Sequence, residues 1–408
     1  MVYSASFPKR SLYSVKIVRI VTLAIWFAVL VRYAILLPAL SARAMQYDFS
    51  LYYTSALALR IGIDPYYSNL APLGRILGFA LPDPFVTNYT PPFLAAFEPL
   101  TRLSVHSAYW LWFAASTGAL IAALKILFAE YEIGGAAMMA TLGLFMLFPG
   151  VTTHFQYAQS QFVLLLGFVL MLYGLRHRRN RLAGIALGLA IMFKLFPIVM
   201  AGYLLSRRRW RALAWTFGTI TIGAVLLVPL FGLHDLLQFF KNNGQDPYIL
   251  SYSNIAPAAF FSRVYWHLFT VHSSDSVRHT IIHGFDSVIL ALAFFASAHD
   301  ASSEDLGMSL WMLAMLLVSP LVWIHYLPLL IIPVVQVLPL LRQGHRLPGA
   351  VLAMLLGCVL IFVFDPISGS LPHRGVGELL SEYGVTALLL LFFSEYLLTR
   401  EALSATTA

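Results

Sequence analysis

Apolar residues fill long stretches of this chain and yield only to short basic clusters or a few long polar segments. The first apolar stretch covers residues 17–40, and others lie at 105–128, 135–149, 161–175, 212–231, 277–298, 306–322, 326–341, 347–364 and 384–398. A helix needs roughly 20 apolar residues to cross the hydrocarbon of a bilayer. Backbone polar groups in lipid must be satisfied within the segment, so the predicted elements are helices. The alternating pattern of an outer-membrane barrel is absent.

One stretch, 182–205, breaks the pattern. It lies between two basic clusters, Arg176, Arg178, Arg179, Arg181 and Arg207, Arg208, Arg209, Arg211. The positive-inside rule assigns both clusters to the cytoplasmic side, so one straight crossing cannot join them. The run MFKLFP interrupts the stretch with Lys194 and Pro197, and proline breaks a helix ladder. The prediction is a helical hairpin that enters from the cytoplasm and returns. A lysine at mid-bilayer costs roughly 2.5–3.5 kcal/mol on insertion scales, so Lys194 is expected to face an anion or a polar cavity. With the hairpin counted as two, the pattern predicts an all-α polytopic membrane protein of about 12 segments. It forms one domain over 1–408 with both termini cytoplasmic.

Three polar regions then face outward: a first loop over 41–104, a second over 232–276 and a third over 365–383. Within the first, DFSLYYTSALALRIG is amphipathic at helical spacing and is expected to lie along the interface. No internal repeat is visible, which counts against a transporter built from repeated halves.

Composition agrees. Of 408 residues, 60% are hydrophobic and 11% charged, whereas soluble domains carry about a quarter charged residues. The net charge of +8 comes from basic residues at helix ends, so a nucleic-acid partner is not expected. The first apolar stretch lacks a small-x-small cleavage site and reads as a retained helix. The single cysteine, Cys358, excludes an intrachain disulfide and a cysteine-based metal site.

Candidate chemistry lies in the outer segments. Asp48, in MQYDFSLYY, follows the first helix among tyrosines. A carboxylate half shielded by aromatics suits a general base, and an aspartate there equally suits a helix cap. His325, in SPLVWIHY, follows a Ser319-Pro320 break. Broken helices at membrane depth line cavities, although an interfacial histidine has the same signature. Tyr89-Thr90-Pro91-Pro92 reads as a rigid turn. Gln159 and Gln161, beside His154 and Gln156, form a polar helix mouth suited to sugar hydroxyls or to free backbone groups. No HExxH, DxD, Walker or dinucleotide glycine motif occurs, so neither a metal nor a nucleotide cofactor is expected.

Several segments in order resemble glycosyltransferase family 87: DFSLYYTSALALRIGIDPYY, NYTPPFLAAFEPL, FQYAQSQFVLLLGFVL, the MFKLFP hairpin and LVSPLVWIHYLPLL. That family includes polyprenyl-phosphate-mannose-dependent α-mannosyltransferases of the GT-C class. The chain departs from the family pattern at Ala158, Gln161, Tyr326 and Val322. SYSNIAPAAFFSRV keeps Asn254 and Arg263 but lacks the usual Gln-Ser. The resemblance implies a GT-C-type bundle with its active site on the extracytoplasmic side of the inner (plasma) membrane. It implies an inverting transfer of a sugar, mannose for preference, from a polyprenyl-phosphate donor to a lipid or glycan hydroxyl. Inversion with a phosphate leaving group needs one base and no general acid, unlike hydrolysis by paired carboxylates. Asp48 is the expected base, with His325, Lys194 and Arg263 at the donor phosphate. Tyr52, Tyr53, Tyr89, Gln159 and Asn254 are expected at the sugar or acceptor. Rival readings are a lipid-linked-saccharide transporter or flippase, a GT-C transferase for arabinose or glucose, an O-antigen ligase or polymerase, and a non-catalytic assembly subunit.

Overall fold

A computed structural model describes residues 12–243, 249–268, 275–298, 304–342, 348–368 and 382–407, and among them the regular structure is entirely helical. The chain opens with α1 (Leu12–Leu36), followed by the short α2 (Leu40–Ala44). The first outer loop then folds into three further helices, α3 (Asp48–Arg60), α4 (Ala71–Ile76) and α5 (Pro91–Phe97). Local chemistry sets these starts. Thr90 caps α5 by accepting from Phe93 N at 3.3 Å, with proline in the first turn. Ser104 caps α6 (Val105–Glu130) by accepting from Ser107 N at 3.2 Å. Both follow the preference for hydroxyl caps, and for proline where its missing N–H is not needed.

Next come α7 (Gly135–Leu147), α8 (Pro149–Tyr157), α9 (Gln161–Arg176), α10 (Asn180–Phe193) and α11 (Met200–Ser206). Beyond them lie α12 (Trp210–Asn243), α13 (Pro257–Leu268), α14 (Asp275–Ser297) and α15 (Glu304–Leu317). The 3-10 segment Ile324–Leu330 leads into α16 (Ile331–Arg342), then α17 (Pro348–Ser368) and α18 (Tyr383–Thr407). Small residues let neighbours approach closely, as is general for membrane helices. On α10, a β-carbon at Gly184 would collide with the Ala212 carbonyl of α12, and one at Gly188 would lie 2.7 Å from Thr219 Cβ.

The apolar stretches are helical where the sequence predicts helices, but many are shorter than a full crossing. By length and composition four regions suffice: Ile17–Arg60, Val105–Glu130, Trp210–His234 and Ser276–Ser297. A fifth arises if α7 and α8, bent by 57°, form one broken span. This count covers the described residues and leaves the expected dozen unconfirmed, with five shorter apolar helices beside it. Breaks at Pro149, Lys194 and Ser319-Pro320 cut apolar runs into pieces, as at α7/α8, α10/α11 and before the 3-10 segment.

The interfacial expectation for α3 is overturned. Nearly the whole helix is buried, including Phe49, Tyr52, Tyr53, Ala56 and Ala58. The rest of the first outer loop folds over it, and its aromatic rings pack with Phe93, Phe97, Tyr109 and Trp112 in a second hydrophobic core. That core excludes a lipid-facing orientation.

The two arginine clusters meet at one face of the bundle. Arg176, ending α9, pairs with Asp305 at 2.7 Å and with Glu130 at 3.1 Å. Arg209, just beyond α11, pairs with Glu304, the neighbour of Asp305. Tyr203 of α11 also donates to the Glu304 carbonyl at 2.9 Å. The end of α9 and the end of α11 are therefore anchored to two adjacent acids at the head of α15, Asp305 and Glu304.

Candidate functional site

At the break between α10 and α11, Lys194 has extended backbone (φ −146°, ψ 144°). Phe193 thereby leaves its carbonyl outside the helix ladder, and Thr90 Oγ1 donates to it at 3.1 Å. The Tyr-Thr-Pro-Pro turn is thus a strut that holds the helix break open, in addition to capping α5. A 3-10 turn, Phe196–Val199, resumes the chain after the lysine. The Lys194 Nζ lies 4.4 Å from the centroid of the Tyr326 ring, a cation–π arrangement.

Asp48 is half-buried and is the first residue of α3. The capping position belongs to Tyr47, which makes no side-chain cap bond. A carboxylate in the first turn is favoured by the helix dipole. Asp48 interacts electrostatically with Lys194 and with the side chain of Gln159. Gln159 in turn accepts a 2.9 Å hydrogen bond from the buried Tyr52 hydroxyl to Oε1. Because Tyr52 takes the oxygen, the donating amide end of Gln159 is the end left for the carboxylate.

Gln159 owes its position to α8, a helix hidden in the sequence. That helix ends in a left-handed residue, Ala158 (φ 54°, ψ 47°), after which the chain turns into α9. Trp112 Nε1 donates to the Ala158 carbonyl at 2.7 Å and fixes the turn. His154 of α8 is buried, stacks on Phe162 at 3.5 Å and has Ser116 Oγ 3.2 Å from its Nε2. Its Nδ1 is buried without a partner. His325, in the 3-10 segment, is buried too, and its Nδ1 likewise has no partner. His154, Lys194 and His325 act on one another electrostatically. Gly150 makes this proximity possible, since a β-carbon there would meet Pro328 Cδ at 3.1 Å and lie closer still to the Ile324 carbonyl.

Asp48, Tyr52, Gln159, Lys194 and His325 are therefore linked in one group of polar side chains. Tyr89 joins them, its ring 4.7 Å from that of Tyr52 and its carbonyl held by the Tyr66 hydroxyl at 2.9 Å. Three other expected site residues lie elsewhere. Tyr53 turns away and donates to the Leu103 carbonyl at 2.8 Å. Asn254 is fully buried, donates to the Pro320 carbonyl at 3.0 Å and accepts from Ala256 N and Val322 N. Arg263 forms a bidentate pair with Glu382 at 2.7 and 2.6 Å and donates to the Ser251 and Asn254 carbonyls. Asn254 and Arg263 thus fasten backbone near the Ser-Pro break instead of joining this group.

In the sequence alone His154 stands only as part of a polar helix mouth, and no site role falls to Tyr157 or Tyr326. His154 and Tyr157 stand three apart on α8, so helical spacing is the signal that would have found them. In the segment after α4, Asp83 is held below the usual carboxylate range by its hydrogen bond from Arg75 and then by that from Asn69, both at 2.8 Å, and so braces the loop. Among the described residues no cluster of His, Cys, Asp and Glu is arranged to hold a metal ion.

Compared with protein-family models, the chain matches that of glycosyltransferase family 87 over residues 85–320. The match takes in Tyr89, Gln159, Lys194, Asn254 and Arg263, begins after Asp48 and stops short of His325. No curated protein matches the chain.

Proposed function

The chain belongs to glycosyltransferase family 87, and from that premise we propose that it is an inverting membrane enzyme with Asp48 as its general base. The donor in this reading is a polyprenyl-phosphate sugar, mannose for preference, and the acceptor is a lipid or glycan hydroxyl on the extracytoplasmic side. No cofactor takes part.

The observation that carries the reading is charge arrangement. Among the described residues, the half-buried acid Asp48 acts on Lys194, which acts in turn on His154 and His325, and no second carboxyl is among the charges these groups feel. A hydrolase of a neutral glycoside needs a second carboxyl to protonate the leaving group. A phosphate departs as an anion without that help, and what it requires is cationic or donating groups where its charge develops. Lys194 and His325 supply them, with the unpartnered His325 Nδ1 available as donor or acceptor.

In the transfer step the acceptor hydroxyl gives its proton to the Asp48 carboxylate. Its oxygen forms the new bond to the anomeric carbon from the face opposite the phosphate. The bond from that carbon to the phosphate oxygen breaks, and its electron pair leaves with the polyprenyl phosphate. General-base help of this kind is worth about 10²–10⁴ in rate. Gln159, oriented by Tyr52, holds the carboxylate, and Tyr52 and Tyr89 wall the sugar.

The test is incubation of the purified protein with labelled polyprenyl-phosphate mannose and cell lipid extract. A new labelled glycoside supports the reading. Label that crosses a vesicle membrane without forming a new glycosidic bond would indicate a transporter.

A further inference from the structure

The two arginine clusters build two turns of one geometry. Arg178 (φ 55°) and Arg208 (φ 51°) both stand in the left-handed region. In the first turn Arg178 N donates to the Leu175 carbonyl at 3.1 Å and Arg179 N to the Gly174 carbonyl at 2.6 Å. In the second, Arg208 N donates to the Leu205 carbonyl at 3.0 Å and Arg209 N to the Leu204 carbonyl at 2.8 Å. Glycine is the usual residue at such a helix end, and here both positions carry a guanidinium. The turns stand side by side because α10 and α12 run parallel. Close contacts set the register of these helices at one constant offset: Gly184 against Trp215, Gly188 against Thr219, and Gly223 against Met192.

Charge on this face is unbalanced. Glu130 and Asp305 are taken by Arg176, and Glu304 by Arg209. Arg178, Arg181, Arg208 and Arg211 are exposed and pair with no acid among the described residues. Their surroundings are apolar. Trp210 is 58% exposed and Trp215 42%, and exposed Phe217, Ile222 and Val225 continue along α12. The span Trp210–His234, long and apolar enough to cross a membrane, begins at this turn. Tryptophan collects at the membrane–water boundary, and the Arg181 guanidinium lies over the Trp215 ring, 5.0 Å from its centroid.

We infer that the two turns form a binding site for the phosphate headgroup of an anionic phospholipid, with Arg178 and Arg181 on one side and Arg208 and Arg211 on the other. The inference is independent of the proposed transferase reading. Guanidinium groups match phosphate oxygens in pairs, and basic sites between membrane helices take anionic headgroups. The tryptophans and the exposed apolar side of α12 beyond them suit acyl chains, which a soluble anion lacks. A lipid held here joins the foot of α10 to the foot of α12. It thereby steadies α10 and α11, whose break carries Lys194.

The experiment uses the full-length protein in neutral detergent and two lipids with the same dioleoyl tails, phosphatidylglycerol and phosphatidylcholine. Native mass spectrometry reads binding, and thermal unfolding reads its effect. Wild type is expected to bind phosphatidylglycerol at least about tenfold more tightly and to melt at least about 2 °C higher with it than with phosphatidylcholine. Glycine suits both left-handed positions, so Arg178→Gly combined with Arg208→Gly should fold. Its affinity for phosphatidylglycerol should fall by about tenfold to hundredfold, as expected for lost hydrogen bonds to a charged group. Arg181→Gln combined with Arg211→Gln should weaken binding in the same way. Removing equal charge elsewhere, in Arg19→Gln combined with Arg400→Gln, should change it by less than about twofold, since distant exposed charges are screened. Equal binding of the two lipids by wild type overturns the inference. Undiminished binding in Arg178→Gly combined with Arg208→Gly, or an equal loss in the Arg19 and Arg400 variant, overturns it too. So does an equal melting shift from inorganic phosphate alone, which would mark a soluble anion as the ligand.

Discussion

Asp48 and Lys194 feel each other's charge, yet no direct ion pair joins them. The lysine instead lies over the Tyr326 ring, 4.4 Å from its centroid. A buried pair in full contact would neutralise both groups and leave nothing for a substrate. Held apart, the two can take opposite ends of one reaction: the proton at the acid and the phosphate at the base.

Replacing Lys194 by methionine should therefore act on the donor. A hydrogen bond to a charged group is worth roughly 1.5–3 kcal/mol, about a tenfold to hundredfold change in affinity. Donor KM should rise by that factor in Lys194→Met, while the acceptor KM changes little. The protein should fold normally, because an apolar side chain replaces a charge that is costly to bury. Titration of donor at saturating acceptor measures this directly.

Tyr52→Phe removes the donor to Gln159 Oε1. A buried acceptor left unsatisfied costs about 1–3 kcal/mol, and the amide is then free to rotate away from Asp48. The melting temperature should fall, and kcat should drop with little change in donor KM. In a double-mutant cycle with Gln159→Leu the two losses should be markedly less than additive, since both variants disable one network.

The Arg263–Glu382 pair predicts a structural outcome. Breaking a buried pair by removing one partner costs roughly 3–5 kcal/mol. Arg263→Met should lower thermal stability sharply, and Arg263→Met combined with Glu382→Leu should recover part of it. The donor KM of whatever folded Arg263→Met remains should match wild type, because the guanidinium is already engaged by the carboxylate and two carbonyls.

Ala158 occupies the left-handed region at φ 54°, where a β-carbon costs roughly 1–2 kcal/mol, part of it offset by the greater chain entropy of glycine. Ala158→Gly should raise the melting temperature slightly, by a net of about 0.5–1 kcal/mol, with Gln159 and its activity undisturbed. Thermal unfolding in detergent, compared with wild type, checks it.

Much of this site could be read from sequence wherever a signal was local. Lys194 with Pro197 marked a helix break, and the structure breaks the helix at Lys194. The two prolines after Thr90 suggested a rigid turn, but they form the first turn of α5, and the Thr90 hydrogen bond to the Phe193 carbonyl spans 103 residues. What stayed hidden depends on distance along the chain. Nothing near Arg263 announces Glu382, 119 residues away, so a structural arginine passed for a phosphate ligand. For α3 the pattern does not show that both sides are covered, Leu51 and Ala58 by Leu70, Ala71 and Phe85 of the following loop, and Phe49, Tyr52 and Tyr53 by α5 and α6. Alanine in a left-handed turn gives no warning, so α8 and the helical pairing of His154 with Tyr157 escaped notice. Hydropathy alone also leaves the number of crossings open, because it does not register how sharply a proline or a lysine bends the run it interrupts.

The most direct measurement is single-turnover transfer from labelled polyprenyl-phosphate mannose by purified Asp48→Asn. The substitution keeps the size and the reach to Gln159 and removes only the capacity to take a proton. The account predicts a fall of at least about 10²-fold in the transfer rate, with donor binding retained and folding unchanged. Transfer at near wild-type rate by Asp48→Asn would contradict it.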